Sequence, residues 1–175
     1  MKTDSEILFF HGYGSSRETD KFTSIVFRNK HAENYDYDLG LKKVIEQAEK
    51  FVESYLDKTE EIILVGHSMG AFVANYLSKK YNLKALLINP CLIPEVTKPE
   101  ILDGFQFELS NEKVIVMIEE DDEILDYKLL LEKLKNNKGN YEIHLYKGGH
   151  HRLVRSSEIN EFIADLSDKN YPYTF

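Results

Sequence analysis

Gly66-His67-Ser68-Met69-Gly70 sets a serine at the centre of a G-x-S-x-G pentapeptide, directly after the apolar run Ile62-Ile63-Leu64-Val65. A serine hydroxyl attacks a carbonyl well only from a sharp turn at a strand end, with a helix starting behind it. Gly66 and Gly70 leave room for such a turn. The stretch from Ala71 to Ser78 can continue as a helix whose first amides face a developing negative charge. Ser68 is therefore the candidate nucleophile, and the pentapeptide has the form of a nucleophile elbow.

A lone serine is a weak nucleophile at neutral pH. It needs an imidazole base and a carboxylate that fixes the imidazole tautomer. The chain supplies these types in the order Ser, acid, His that accompanies an elbow of this kind. The acidic run Glu119-Glu120-Asp121-Asp122-Glu123 follows the apolar Val114 to Ile118. Asp122, placed in the loop before the next helix, is the first candidate for the acid. Asp126 is its competitor, although a carboxylate at a helix start has an ordinary role in complementing the helix dipole. The run lacks the alternating ligands and glycine of an EF-hand calcium loop.

The base comes from Lys147-Gly148-Gly149-His150-His151-Arg152-Leu153, where two glycines let the loop bend back over the sheet. One of the two histidines fills the role. His151 is preferred because it directly precedes the segment leading to the last helix, whereas His150 reads as a solvated loop residue. His67, inside the elbow, reads as support for the turn. Two backbone N–H donors must face the oxyanion. One is Met69, which follows the nucleophile, and the other is Tyr13, in the small-residue loop His11-Gly12-Tyr13-Gly14-Ser15-Ser16 after an early strand. That loop matches neither G-x-x-x-x-G-K-[ST] nor G-x-G-x-x-G, which argues against nucleotide binding.

The elements that must position these groups are legible as alternation. Ile7 to Phe10, Ile62 to Val65, Ala85 to Ile88, Val114 to Ile118 and Tyr141 to Tyr146 read as strands, with a weak further strand at Asn34 to Asp38. Leu41, Val44, Ile45, Ala48, Phe51 and Val52 share one helical face, with Lys and Glu on the other. Further helices are expected over Ile124 to Leu134 and Ser156 to Leu166. Repeated strand and helix imply a three-layer α/β/α sandwich around a mostly parallel sheet, with reactive groups at the strands' carboxyl ends. Between Ile88 and Val114 lie Pro90, Pro94 and Pro99. This segment forms either a small flap offering an acyl pocket or ordinary packing, through Leu92, Ile93, Val96, Ile101, Leu102, Phe105 and Phe107. The closing Tyr171-Pro172-Tyr173-Thr174-Phe175 is aromatic enough to pack onto the domain.

A length of 175 residues predicts one domain, residues 1–175, with little or no cap. Twenty-two basic and 30 acidic residues give a net charge of −8, which argues against nucleic acid and anionic membrane surfaces as partners. Neither a leader nor a membrane span is visible, and the single cysteine, Cys91, excludes an internal disulfide. A cytoplasmic location is expected. Oligomeric state is not legible.

Taken together, these segments resemble the small single-domain α/β-hydrolases, and most closely the bacterial YqiA-like esterases. His11-Gly12-Tyr13-Gly14-Ser15-Ser16 resembles their H-G-[FY]-x-S-S opening, and Gly66-His67-Ser68-Met69-Gly70 is similar to their elbow. Leu87-Ile88-Asn89-Pro90 resembles their strand closing in Asn-Pro. Asp122-Glu123-Ile124-Leu125-Asp126-Tyr127 and Gly148-Gly149-His150-His151 resemble their D-E-V-L-D-Y and G-G-N-H segments. Gly14 and His150 depart from this pattern, each standing where Asn is usual. The resemblance implies an esterase of short acyl esters with Ser68 as nucleophile, Asp122 as acid and His151 as base. The expectation is a serine hydrolase of small carboxylic esters or thioesters, working through an acyl-enzyme without metal or organic cofactor. An acyltransferase with the same triad, or a hydrolase-like binding protein, is the alternative.

Overall fold

The computed structural model describes residues 5–92 and 99–168. Its framework is a six-stranded sheet in the order β2-β1-β3-β4-β5-β6, every neighbouring pair parallel. The strands are β1 (Glu6–Phe10), β2 (Lys30–Ala32), β3 (Ile62–His67), β4 (Lys84–Ile88), β5 (Val114–Glu119) and β6 (Tyr141–Tyr146). The helices are α1 (Asp20–Ser24), α2 (Leu41–Leu56), α3 (Met69–Tyr81), α4 (Tyr127–Lys135) and α5 (Ser156–Leu166).

Successive side chains on a strand point to opposite faces, and each face here has its own core. Leu8, Phe10, Leu64, Leu87 and Val116 pack against α2, α3 and α4. Ile7, Phe9, Val65, Leu86 and Ile115 pack on the other face against Ile25, Phe27 and α5. Strands covered on both sides read as continuous apolar runs, which is why β3 and β5 carry no polar alternation. The result is the expected three-layer α/β/α sandwich.

Two expectations are corrected. The weak strand expected at Asn34 to Asp38 is not one; the sixth strand is Lys30–Ala32, which pairs with Ile7, Leu8 and Phe9. In that stretch the Tyr35 and Tyr37 rings pack into the core around Phe10 and His11, while the backbone turns through a 3-10 segment at Tyr37–Leu39. The helix expected from Ile124 begins instead at Tyr127, because Asp126 caps it by accepting from Lys128 N at 2.8 Å and Leu129 N at 3.4 Å. Leu92, Ile101 and Phe107 are buried in the core that α2, α3 and α4 cover, so for these residues the packing reading of the flap holds. Ile93, Pro94 and Val96 lie outside the described residues, as does the aromatic tail from Tyr171 to Phe175. No described helix is long and apolar enough to cross a membrane.

Candidate active site

The elbow stands at the carboxyl end of β3. Ser68 adopts φ 56° and ψ −120°, a conformation rare for a residue with a side chain, and α3 begins at the next residue. Ser68 N–H donates to Ile88 O at 3.1 Å, and Ser68 O accepts from Cys91 N at 3.0 Å, so the turn is tied to the end of β4. Both flanking glycines are steric necessities. A Cβ on Gly66 would lie 2.3 Å from Gly70 O, and one on Gly70 would lie 2.0 Å from Phe10 O.

The loop after β1 runs against Ser68. A Cβ on Gly12 would sit 3.0 Å from Ser68 Cβ and 3.2 Å from His67 O. His11 holds this loop in register. Its Nδ1 donates to Gly12 O at 2.8 Å, its Nε2 accepts from Tyr35 N at 2.9 Å, and its carbonyl accepts from Tyr37 Oη at 2.6 Å. Burial pushes the His11 imidazole below its usual pKa, in keeping with a neutral ring that donates on one side and accepts on the other. Tyr13 follows at the cavity mouth, with its hydroxyl donating to Asp38 at 2.7 Å. Met69 opens α3, where its N–H has no intrahelical acceptor.

Across the sheet's rim, His151 Nδ1 donates to Asp122 Oδ2 at 2.6 Å, with side chains 6% and 2% exposed. A carboxylate only accepts, so the proton is on Nδ1 and Nε2 is left as the basic nitrogen. Asp122 Oδ1 accepts from Ile124 N and Leu125 N, each at 2.8 Å. Burial works against the Asp122 charge, but these bonds and the one from His151 outweigh it and hold the carboxyl below its usual range. The adjacent Glu123 accepts from His151 N at 3.0 Å, so the acid loop grips both the ring and the backbone of His151. His150 is exposed, and its ring accepts from Arg152 N at 3.3 Å. Asp126 is engaged as the cap of α4.

Ser68, His151, Tyr13 and Met69 share the wall of one cavity of about 510 Å³, whose apolar lining comes from Ile124, Leu125 and Val154. Within that wall Ser68 Oγ has no hydrogen-bond partner among the described residues. No group of three or more His, Cys, Asp or Glu that could hold a metal ion occurs among the described residues.

His67 has the supporting place expected of it, and other residues that brace the site went unrecognised in the sequence. The His151 carbonyl accepts from His67 Nε2 at 3.0 Å and Asn89 Nδ2 at 3.2 Å. Asn89 Oδ1 in turn accepts from Glu119 N at 2.9 Å, linking the start of the Asp122 loop to His151. Burial, with smaller contributions from Lys21 and His151, drives the His67 pKa well below its usual value and keeps its ring neutral. Glu119 is buried and paired with Arg155, whose Nη2 donates at 3.0 Å. Lys21 is buried in the same wall. A polar residue closing an apolar strand was a usable signal for Asn89; a lone lysine in the five-residue α1 carried none.

A parallel sheet covered on both faces, with a strand-serine-helix elbow at the carboxyl end of its third strand, defines the α/β-hydrolase fold. The chain belongs to the uncharacterised protein family UPF0227, which matches residues 6–112 and is the YqiA-like group its motifs resemble. A comparison with curated proteins finds no match.

Among solved structures, Est1E from Butyrivibrio proteoclasticus with ferulic acid bound is similar at a TM-score of 0.74 and 14% identity, over 94% of this chain and 90% of that one. An esterase from Pyrococcus furiosus is similar at 0.71 and 19% identity, over 94% and 82% of the two chains. The mouse alpha/beta hydrolase domain-containing protein 10 is similar at 0.71 and 17% identity, over 94% and 88%. At these identities the likeness is one of fold.

Proposed function

We propose that this chain is a serine hydrolase of small carboxylic esters or thioesters, carried by a single domain, with Ser68 as nucleophile, His151 as base and Asp122 as acid. The observation that carries the reading is the buried 2.6 Å contact of Asp122 with Nδ1 of His151, a ring that lines the same cavity as Ser68. A contact of this kind fixes the tautomer that a general base needs and stabilises the imidazolium formed once the base has taken a proton. The esterases among the structural neighbours support the same class.

In the proposed reaction His151 Nε2 removes the Ser68 hydroxyl proton as Oγ attacks the acyl carbon, a contact that closes on a bound substrate. The N–H groups of Tyr13 and Met69 face the resulting oxyanion. The imidazolium then gives its proton to the leaving alkoxide or thiolate, and water, deprotonated by the same ring, releases the acid from Ser68. Apart from water, every step uses groups of this chain and its substrate.

The test is turnover of p-nitrophenyl acetate by wild type and Ser68→Ala, with folding followed by circular dichroism. The reading expects hydrolysis that is lost in a folded variant. Undiminished turnover in Ser68→Ala refutes it, and a folded wild type that hydrolyses none of a broad ester panel favours a binding role.

A further inference from the structure

Lys21 is 2% exposed and lines the cavity shared by Ser68 and His151. Its ammonium donates to His151 O at 3.5 Å, the oxygen already held by His67 and Asn89. Five other charged or titratable groups bear on this corner: Asp20 on α1 itself, Glu119 at the end of β5, Asp122 on the acid loop, Arg152 on the base loop and His67 on β3. No carboxylate among the described residues comes within ion-pairing distance of Lys21, since Asp122 is engaged by His151 and two amides, and Glu119 by Arg155. Burying an ammonium is costly, and an apolar side chain of similar length would fill the same space without that cost. The hydrogen bond this cation does make is to the backbone of the candidate base.

The α1 segment has independent anchors. Asn160 on α5 donates to Ser24 O and accepts from Val26 N, each at 2.9 Å. Lys30 on β2 donates to Phe22 O at 3.0 Å and Thr23 O at 3.1 Å. Removing the Lys21 ammonium therefore leaves α1 in place and deletes its tie to His151.

We propose that Lys21 is a positioning residue, its ammonium fastening α1 to the His151 carbonyl and so setting the imidazole against Ser68. The proposal rests on the roles assigned above to Ser68 and His151. The tie depends on charge, because a neutral amine is a weaker donor to a carbonyl than an ammonium. Burial pushes Lys21 down to about 8, with Asp122 and Glu119 pulling it back up, so the tie weakens just above neutral pH.

The experiment compares wild type, Lys21→Met and Lys21→Arg in three ways: the pH profile of p-nitrophenyl acetate hydrolysis, thermal melting, and the histidine-ring 1H–15N NMR spectrum. Lys21→Met is expected to lower kcat about tenfold with KM little changed and melting undiminished. The fall in wild-type activity above about pH 8 disappears in Lys21→Met, and Lys21→Arg recovers kcat and carries it to higher pH. An unchanged kcat and pH profile in Lys21→Met overturns the proposal, as does a loss that tracks the unfolded fraction.

The NMR arm needs no turnover. The His151 ring signals shift in Lys21→Met while those of His150 stay; unmoved His151 signals overturn the proposal even if the enzyme acts by another route. Failure of a fluorophosphonate to label wild-type Ser68 instead marks a failure of the parent reading.

Discussion

Asp122 and His151 lie 29 residues apart in the chain, and their side chains meet at 2.6 Å where almost no solvent reaches them. The contact joins the loop after β5 to the loop after β6, two neighbouring parallel strands whose carboxyl ends open on the same rim. The parallel register between β5 and β6 thus brings a carboxylate and an imidazole from separate loops to one point.

Asp122→Asn keeps the shape of that contact but allows the amide to donate, which favours the wrong imidazole tautomer. The expected loss in kcat is roughly ten-thousand-fold. The wild-type carboxyl is held below its usual range, so its contribution to stability is complete above the ordinary Asp pKa and is lost as pH falls through the depressed value. Steady-state kinetics and acid-unfolding curves of the two proteins check both statements, the variant lacking that part of the acid dependence.

His151→Ala removes turnover, whereas His150→Ala leaves it unchanged, since His150 is exposed and its ring is hydrogen-bonded within its own loop. Parallel assays of the two variants decide the matter. Activity lost with His150 and kept without His151 reverses the assignment.

Gly70→Ala drives a methyl group onto the Phe10 and His11 carbonyls, at 2.0 and 2.5 Å. These are backbone atoms of a central strand and the loop that follows it, which cannot swing aside as a side chain would. The expected cost is about 3 kcal/mol or more, measured by urea unfolding.

Lys21 carries a stability signature of its own. Its pKa falls from 10.5 to about 8 on folding, chiefly through burial, so between these values the unfolded chain holds a proton that the folded chain has released. Wild-type stability accordingly rises with pH through that window, and below it the buried charge costs about 3 kcal/mol. Lys21→Met lacks the rise, so its advantage over wild type is largest near neutral pH and shrinks as pH approaches 10.5. Urea unfolding across this range would contradict the account if the gap stayed constant.

Arg155→Met leaves Glu119, 4% exposed, without its guanidinium. Breaking one side of such a buried pair costs about 3–5 kcal/mol, and Glu119→Gln in the same chain restores part of it. Unfolding free energies of the single and double variants measure the coupling.

The fold was readable because parallel strands buried on both faces leave uninterrupted apolar runs such as Ile62 to Val65, and because α2 carries one clean apolar face. The strand expected at Asn34 to Asp38 is a loop that buries alternate rings, Tyr35 and Tyr37, and such burial has the same period as a strand. Ser68 was legible because its turn demands glycines on both sides, a constraint written into five consecutive positions. Lys21 was not, because its place at the site arises from a carbonyl far along the chain, and no local pattern encodes that meeting.

The most direct measurement is fluorophosphonate labelling followed by peptide mass spectrometry. The account predicts a single phosphonylated residue, Ser68, in the wild-type protein, with labelling lost in His151→Ala and kept in His150→Ala. Modification elsewhere, or Ser68 labelling undiminished without His151, would contradict it.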